Sequence, residues 1–426
     1  LQPRSVFAHL RCRSYEQPQP QAVQASLLGG LTLAGPALDA GLGSVFNVLH
    51  HPSDGRTLLA MYERRALARW DFRVGGGRPV FVNRNAHEDC VNVAAFLGGG
   101  DCVFATGCDS GQCRVWDLRR PARPLAVLST EAGCIKNLEC APASQLLMVS
   151  GFRSQLIFYD TGTLRLSDSC PAWSTSQLMR ARLHPDSNRL VLAYRSFLVL
   201  IDRFDPETLA SDLPDFQPDA WLTDALDEEA SDVDIQTALL ALQRRVSDSS
   251  EGLSRNLASL VHSGFNDRPD TEEVSLSSLC LHPSGCLVAS RGFAIDLSQP
   301  WRLSQLLAGP APVSCSTYLH WLQPGAAGST LIGQFEEPIA ARQIIKEISF
   351  SLCRRFLASP FARGVRLFAN GRLDWLERTG SEPVRPVATV LGTGSSVVTT
   401  DFSPVHELQL AVGTTGGAVH LVEPRF

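Results

Sequence analysis

Apolar and polar positions alternate along this chain in short runs, and the runs recur. Each copy holds a short apolar strand, a turn with Pro or Gly, a second apolar strand ending in small residues, a tight turn and a third strand. The copies span 44–72, 87–119, 133–160, 178–202, 274–297, 344–368 and 395–422. The turn after the first strand sets the register: His51-Pro52, Ala141-Pro142, His184-Pro185, His282-Pro283 and Ser403-Pro404. Proline suits that turn because its φ is fixed and no ladder donor is needed there. Pro52 to Pro142 spans two repeats of roughly 45 residues and Pro142 to Pro185 spans one, a spacing typical of propeller blades. Seven copies predict an all-β, seven-bladed propeller. The fifth copy is the weakest, so six or eight blades stay open at this stage.

Three stretches break the pattern and divide the chain into 1–42, a first set of four blades over 43–202, an insert over 203–273, and three blades over 274–426. The insert is acidic from Asp205 to Asp234, with no Lys or Arg between. Beyond it, Ile235, Leu239, Leu242 and Val246, then Leu253, Leu257, Leu260 and Val261, fall at helical spacing around a Ser-rich break. A connection this long predicts mostly disordered chain with one or two marginal helices. Arg244-Arg245-Val246-Ser247 matches a basophilic kinase site and makes Ser247 a candidate phosphosite, although such short matches are common by chance. The stretch 299–343, rich in Gly, Pro and Ala, predicts an extended inter-blade loop with some strand. Before the first blade, Ser5 to Leu10 predicts a short amphipathic helix, broken by Gln17-Pro18-Gln19-Pro20. A helix that short is unstable alone in water and needs something to dock on.

Composition narrows the function. The chain has 426 residues, 44% of them apolar, enough to bury a large core. Its net charge is −5 and no long Lys/Arg run appears, which argues against nucleic acid as a partner. No apolar run approaches the roughly 18 residues of a membrane span. No leader is visible at Leu1, and without an initiator Met the question of one stays open. None of the twelve cysteines forms a CxxC pair, and no zinc pattern emerges. Buried free thiols in a reducing compartment are expected, which fits cytoplasm and/or nucleus.

Two tetrapeptides carry the chemistry. Trp70-Asp71-Phe72-Arg73 and Trp116-Asp117-Leu118-Arg119 end the third strands of neighbouring copies. Trp and Asp at that place are blade architecture. The arginine two residues later is not needed to build a blade, so Arg73 and Arg119 are expected side by side on one rim, as partner contacts. The competing reading is that each only pairs with a nearby carboxylate or is solvated. In the second copy, His87, Thr106, Asp109 and Trp116 fall where WD-repeat blades carry a hydrogen-bonded, blade-locking tetrad, which makes His87 structural. No G-x-S-x-G, Walker or H-E-x-x-H motif occurs. No cofactor or metal is expected, and the sequence offers no catalytic set for a propeller hydrolase working at the channel mouth.

The paired WDxR motifs resemble the DDB1- and CUL4-associated factors, the WD-repeat substrate receptors of cullin-4 ubiquitin ligases. Further stretches carry the likeness: His87-Glu-Asp-Cys-Val-Asn, Val115-Trp-Asp-Leu-Arg-Arg, Ile135-Lys-Asn-Leu-Glu, Val149-Ser-Gly-Phe, Leu178-Met-Arg-Ala-Arg-Leu, Ile345-Lys-Glu-Ile-Ser-Phe and Pro424-Arg-Phe. The order of blades and the place of the insert agree as well. The resemblance implies a non-catalytic adaptor, one copy within a larger complex, that docks on the DDB1 adaptor and recruits a substrate protein for ubiquitin transfer. It also implies that Arg73 and Arg119 take the WDxR role, and that Val6, Phe7 and Leu10 form the apolar face of a docking helix. A generic WD-repeat scaffold in another complex is the alternative.

Overall fold

The computed structural model describes residues 31–74, 78–98, 102–153, 155–171, 178–184, 189–194, 198–202, 204–206, 209, 257–262, 272–296, 314–322, 329–337, 347–369, 384, 386–406 and 408–424. They form seven four-stranded antiparallel sheets. Blade one holds β2 (Val45–His50), β3 (Thr57–Tyr62), β4 (Leu67–Asp71) and β5 (Phe81–Asn83); blade two holds β6 (Val91–Phe96), β7 (Val103–Cys108), β8 (Gln112–Asp117) and β9 (Ala126–Ser129). Blade three holds β10 (Ile135–Ala141), β11 (Leu146–Gly151), β12 (Gln155–Asp160) and β13 (Leu166–Pro171); blade four holds β14 (Leu178–Leu183), β15 (Arg189–Tyr194), β16 (Leu198–Asp202) and β17 (Leu257–His262). Blade five holds β18 (Glu272–Leu281), β19 (Leu287–Asp296), β20 (Ser314–Leu322) and β21 (Ser329–Glu337); blade six holds β22 (Ser349–Phe350), β23 (Phe356–Phe361), β24 (Gly364–Ala369) and β25 (Pro386–Leu391). Blade seven takes β26 (Val397–Phe402), β27 (Leu410–Thr414) and β28 (Ala418–Pro424), and its outer strand is β1 (Leu31–Asp39). Each first strand packs on the first strand of the next blade, and β26 packs on β2, so the ring closes at seven blades.

The strand patterns follow from blade stacking. Second strands lie between two neighbouring sheets, and every residue of β3 and β11 is buried. They read as continuous apolar runs for that reason. Outer strands meet solvent, as in β25, where Pro386, Val387, Thr389 and Leu391 are exposed.

Two expectations are corrected at the joints. Residues 31–39, within the stretch read as a docking segment and linker, pair with the end of the chain, from Leu31↔Pro424 to Asp39↔Ala418. An open last blade would expose a row of unpaired ladder groups, and β1 covers it. Leu257, Leu260 and Val261, read at helical spacing, belong to strand β17, which pairs Asp202↔Leu257 through Leu198↔His262 as the fourth blade's outer strand. The fifth copy was weak because its tight turn is replaced by residues 297–313. The stretch 299–343, read as an inter-blade loop with some strand, holds β20 and β21, the third and fourth strands of blade five. The remaining insert calls, Ser247 among them, and Val6, Phe7 and Leu10 lie outside the described residues.

The first turns lock neighbouring blades together. His51 holds its own turn, its Nδ1 accepting from Ser53 N and Asp54 N at 3.3 Å, and meets Phe96 of blade two edge-on at 5.3 Å. His184 Nε2 lies 3.4 Å from the Pro283 carbonyl of blade five, and His282 Nε2 lies 3.1 Å from the Arg354 carbonyl of blade six. In these three turns a histidine spans a blade boundary.

The inner strands share a second device. Six of them shift register, five at their start and β18 at its middle: Val45/Asn47, Val91/Val93, Ile135/Asn137, Leu178/Arg180, Val397/Thr399 and Leu276/Ser278. A bulge re-aims the residues around it. Asn137, Arg180 and Ser278 follow the shift in blades three, four and five, and all three join one polar network. Arg180 Nε donates to Glu347 Oε1 at 2.8 Å, and Arg182 Nη2 reaches Glu347 Oε2 at 3.4 Å. Ser278 Oγ donates to the same carboxylate at 3.1 Å. Arg182 Nη1 also pairs with Glu139 at 3.2 Å and donates to Asn137 Oδ1 at 3.2 Å. Thr400 Oγ1 of blade seven donates to the Glu347 carbonyl at 3.0 Å. Burial alone would raise the Glu347 carboxyl, but Arg180 and Arg182 hold it below the ordinary range; Glu139, where burial outweighs Arg182, is raised. Two acids and two arginines balance, and five blades are tied together.

Removing one side of a buried pair strands the other charge, at a cost of about 3–5 kcal/mol. Glu347→Ala should therefore lower unfolding free energy by roughly that amount. Arg180→Met combined with Glu347→Leu should recover much of the loss in chemical denaturation, whereas equal losses in the single and double variants would refute the tie.

Candidate partner-binding rim

Both WDxR corners lie where the third strand ends, on the face formed by the first and third turns of each blade. β4 ends at Asp71 and β8 at Asp117. The chain then bends back, with Phe72 N donating to Arg56 O at 3.0 Å and Leu118 N to Cys102 O at 2.7 Å. The two corners are the same device. Arg73 Nε donates to Asp71 Oδ1 at 2.8 Å and Nη2 to Oδ2 at 2.5 Å. Arg119 Nε donates to Asp117 Oδ1 at 2.9 Å and Nη2 to Oδ2 at 2.7 Å. In both, the arginine's own backbone N–H adds a bond to Oδ1, at 3.0 and 2.9 Å.

A fork of this kind fixes the guanidinium plane. It uses Nε and Nη2 and leaves Nη1 outside. The side-chain hydrogen bond from the arginine, more than any other cause, pulls the carboxyls of Asp71 and Asp117 down to about 2, so both forks stay charged at any physiological pH. The carboxylates are largely covered, whereas the arginine side chains are 53% and 72% exposed. Each arginine pairs with a nearby carboxylate and remains open to solvent: the aspartate is the mount and the arginine is what solvent meets. Arg69 stitches the corners together, its Nη1 donating across the blade boundary to Leu118 O at 2.8 Å.

The sequence missed a third place in this series. The register sets Leu410 opposite Val422, as Leu58 lies opposite Trp70 and Phe104 opposite Trp116. Glu423 thus occupies the place of Asp71 and Asp117, with Gln409 Nε2 donating to its Oε1 at 2.5 Å. The signal was Val422-Glu423-Pro424-Arg425, an acidic-x-Arg ending without tryptophan; Arg425 itself lies outside the described residues.

The blade-two tetrad assembles only in part. His87 Nε2 lies 2.6 Å from Thr106 Oγ1, and Trp116 Nε1 donates to the same oxygen at 2.8 Å. Asp109 is not joined to them, which corrects the four-residue expectation. It turns toward blade three, where Oδ1 accepts from Asn92 Nδ2 at 2.5 Å and Lys136 Nζ at 3.2 Å and meets Cys134 Sγ at 2.5 Å. A lysine and a thiol across the boundary compete for the carboxylate, and His87 Nδ1 is left without a hydrogen bond. The tautomer with hydrogen on Nε2 satisfies every donor, because Thr106 then accepts twice and turns its own hydroxyl to Arg114 O, 3.4 Å away. Burial, helped by Arg114, pushes His87 down to about 3. Blade one has no such lock: Ala60 stands at the Thr106 register and Trp70 Nε1 has no hydrogen-bond partner.

Asp89, Cys90 and Asp109 cluster closely enough to share an ion, but Lys136 already sits on Asp109. The charged network of Glu139, Arg180, Arg182 and Glu347 was also not foreseen; its four charges are spent on one another. The ten cysteines whose side chains are described are all free; Cys108 and Cys113 are buried and the others half-buried.

No family model matches the chain. Among curated proteins, "DDB1- and CUL4-associated factor 10" of Danio rerio is 30% identical over 402 residues, covering 90% of this chain and 75% of that protein. This chain belongs to the DDB1- and CUL4-associated factor 10 family. The family's proteins from Mus musculus and Homo sapiens are each 28% identical, over 416 and 412 residues, covering 90% of this chain and 69% and 70% of theirs.

His87 supplies a pH test. The unfolded chain protonates this imidazole near its ordinary 6.5, while the folded chain resists until about 3. Stability is therefore full above pH 6.5 and falls as pH drops toward 3. Between pH 7.5 and 5.5 the wild type should lose about 1 kcal/mol more than His87→Phe in chemical denaturation. Parallel losses would show that the ring titrates in the folded state.

Proposed function

We propose that this chain is the substrate receptor of a cullin-4 ubiquitin ligase, a non-catalytic adaptor that docks on DDB1 and presents another protein for ubiquitination. The relatives' shared name, with its reference to DDB1 and CUL4, supports the association. The observation that carries the reading is the pair of exposed arginines held in identical forks on adjacent blades. A docking cation loses rotamer freedom when it binds, and a fork removes that freedom beforehand. The stitch from Arg69 to Leu118 fixes the two forks relative to each other, so both can engage one partner surface. The N-terminal segment with Val6, Phe7 and Leu10 joins the ring on the same face, since β1 begins at Leu31 beside Pro424. The opposite face, built from the second turns and the blade-to-blade connections, is left for the substrate. The cytoplasm and nucleus are the compartments this role implies.

The test is affinity capture of tagged wild type and an Arg73→Ala, Arg119→Ala double variant. Wild type should recover DDB1, and the double variant should retain at most a tenth as much while keeping its thermal melt. Recovery of a different stable complex without DDB1 would favour a generic WD-repeat scaffold and sink the receptor reading.

A further inference from the structure

The corners that carry Arg73 and Arg119 hold more charge than two forks use. The turn after β4 adds Arg78, and the turn after β8 adds Arg120 and Arg123. All three are exposed, and among the described residues none makes a salt bridge. The acids close by are already engaged. Asp71 and Asp117 sit in the forks, and Asp54 accepts from Arg56 N, Thr57 N and Thr57 Oγ1 within its own turn. The excess is positive, on a chain whose net charge is −5.

The same corners expose apolar side chains. Val74 is 60% exposed, Leu125 58% and Val80 39%. The backbone around them is fixed: Val80 N donates to Arg69 O at 2.8 Å and Leu125 N to Val115 O at 2.7 Å. Exposed aliphatic groups beside arginines, on rigid turns, have the make-up of an interface core with a charged rim.

We propose that the docking surface extends across this basic corner, with Arg78, Arg120 and Arg123 around Val74, Val80 and Leu125, and that it fits a partner protein surface with carboxylates around an apolar patch. The proposal rests on the receptor reading and deepens it. Continuity with the two forks, and an excess of positive charge that no acid of the described residues takes up, argue for an external acidic partner. Oppositely charged faces accelerate encounter and fix register, and salt weakens the effect. The chain's own acidic stretch, Asp205 to Asp234, is the rival occupant, since it leaves the ring at Asp202, on the same face.

The experiment measures binding of purified DDB1 to the full chain at low and high salt. One variant combines Arg78→Glu, Arg120→Glu and Arg123→Glu. Its control combines Arg64→Glu, Arg153→Glu and Arg363→Glu, an identical charge change in second turns on the opposite face. Thermal melts of both should match the wild type. The corner variant should bind at least tenfold more weakly and lose most of the salt dependence, and the control should bind as wild type does. A corner variant as tight as wild type overturns this inference alone. A tighter one means that the acidic stretch covers the corner, and overturns it too. Absence of DDB1 binding by the wild type overturns the receptor reading and this inference with it.

Discussion

A ring of stacked sheets has no natural end, and in this one an antiparallel pairing between the two parts of the chain latches the seam where blade seven meets blade one. Strand β1, from the first part of the chain, completes the blade built from the last. Without it the seventh blade would present β28 as a bare edge, and blade one would lose part of its cover, since Leu38 and Leu42 pack with Val45, Ala411 and Val419 in one core cluster. A propeller buries its apolar faces only against its neighbours, so no blade is a stable unit by itself.

Between the blades, apolar stacking is supplemented by polar contacts that each solve a local problem. Turn histidines reach carbonyls or rings of the following blade. The bulges of the inner strands turn Asn137, Arg180 and Ser278 into one network with Glu347. These contacts sit where two sheets meet edge to edge and leave backbone and side-chain polar groups in need of partners. Buried ion pairs are weak contributors to net stability. Their value here is register, because a carboxylate held by arginines from blade four and a serine from blade five fixes how blade six sits.

Much of the fold was readable because blade architecture writes itself in apolar runs and turn prolines. The first three strands of most blades follow from those runs. The fourth strands were not readable: β17 carries Leu257, Leu260 and Val261 at a spacing that also suits a helix, and only the edge of β16 makes it a strand. Strand β1 looked like linker for the same reason, since its partner lies nearly 400 residues away in sequence. At the rim, tryptophan drew attention to Asp71 and Asp117, and its absence hid Glu423. The forks themselves could not be read, because an Asp-x-Arg spacing permits a clamp without requiring one. Asp109 shows the limit of motif reasoning: its position suited a tetrad, and Lys136, from another blade, decided otherwise.

The connection from Asp202 to Leu257 leaves and re-enters the ring between two strands that are hydrogen-bonded neighbours. The ends of that connection are therefore held together by the blade, whatever lies between them. Closing a longer loop costs only slowly growing entropy, about 0.6 kcal/mol per doubling. The fold is thus nearly indifferent to the length and composition of this stretch, while its departure from the face that carries the two forks places that length and composition where a protein approaching the forks would meet them. Selection can rewrite the connection without renegotiating a single blade contact, which leaves this position as a margin where regulation can diverge while the ring stays the same.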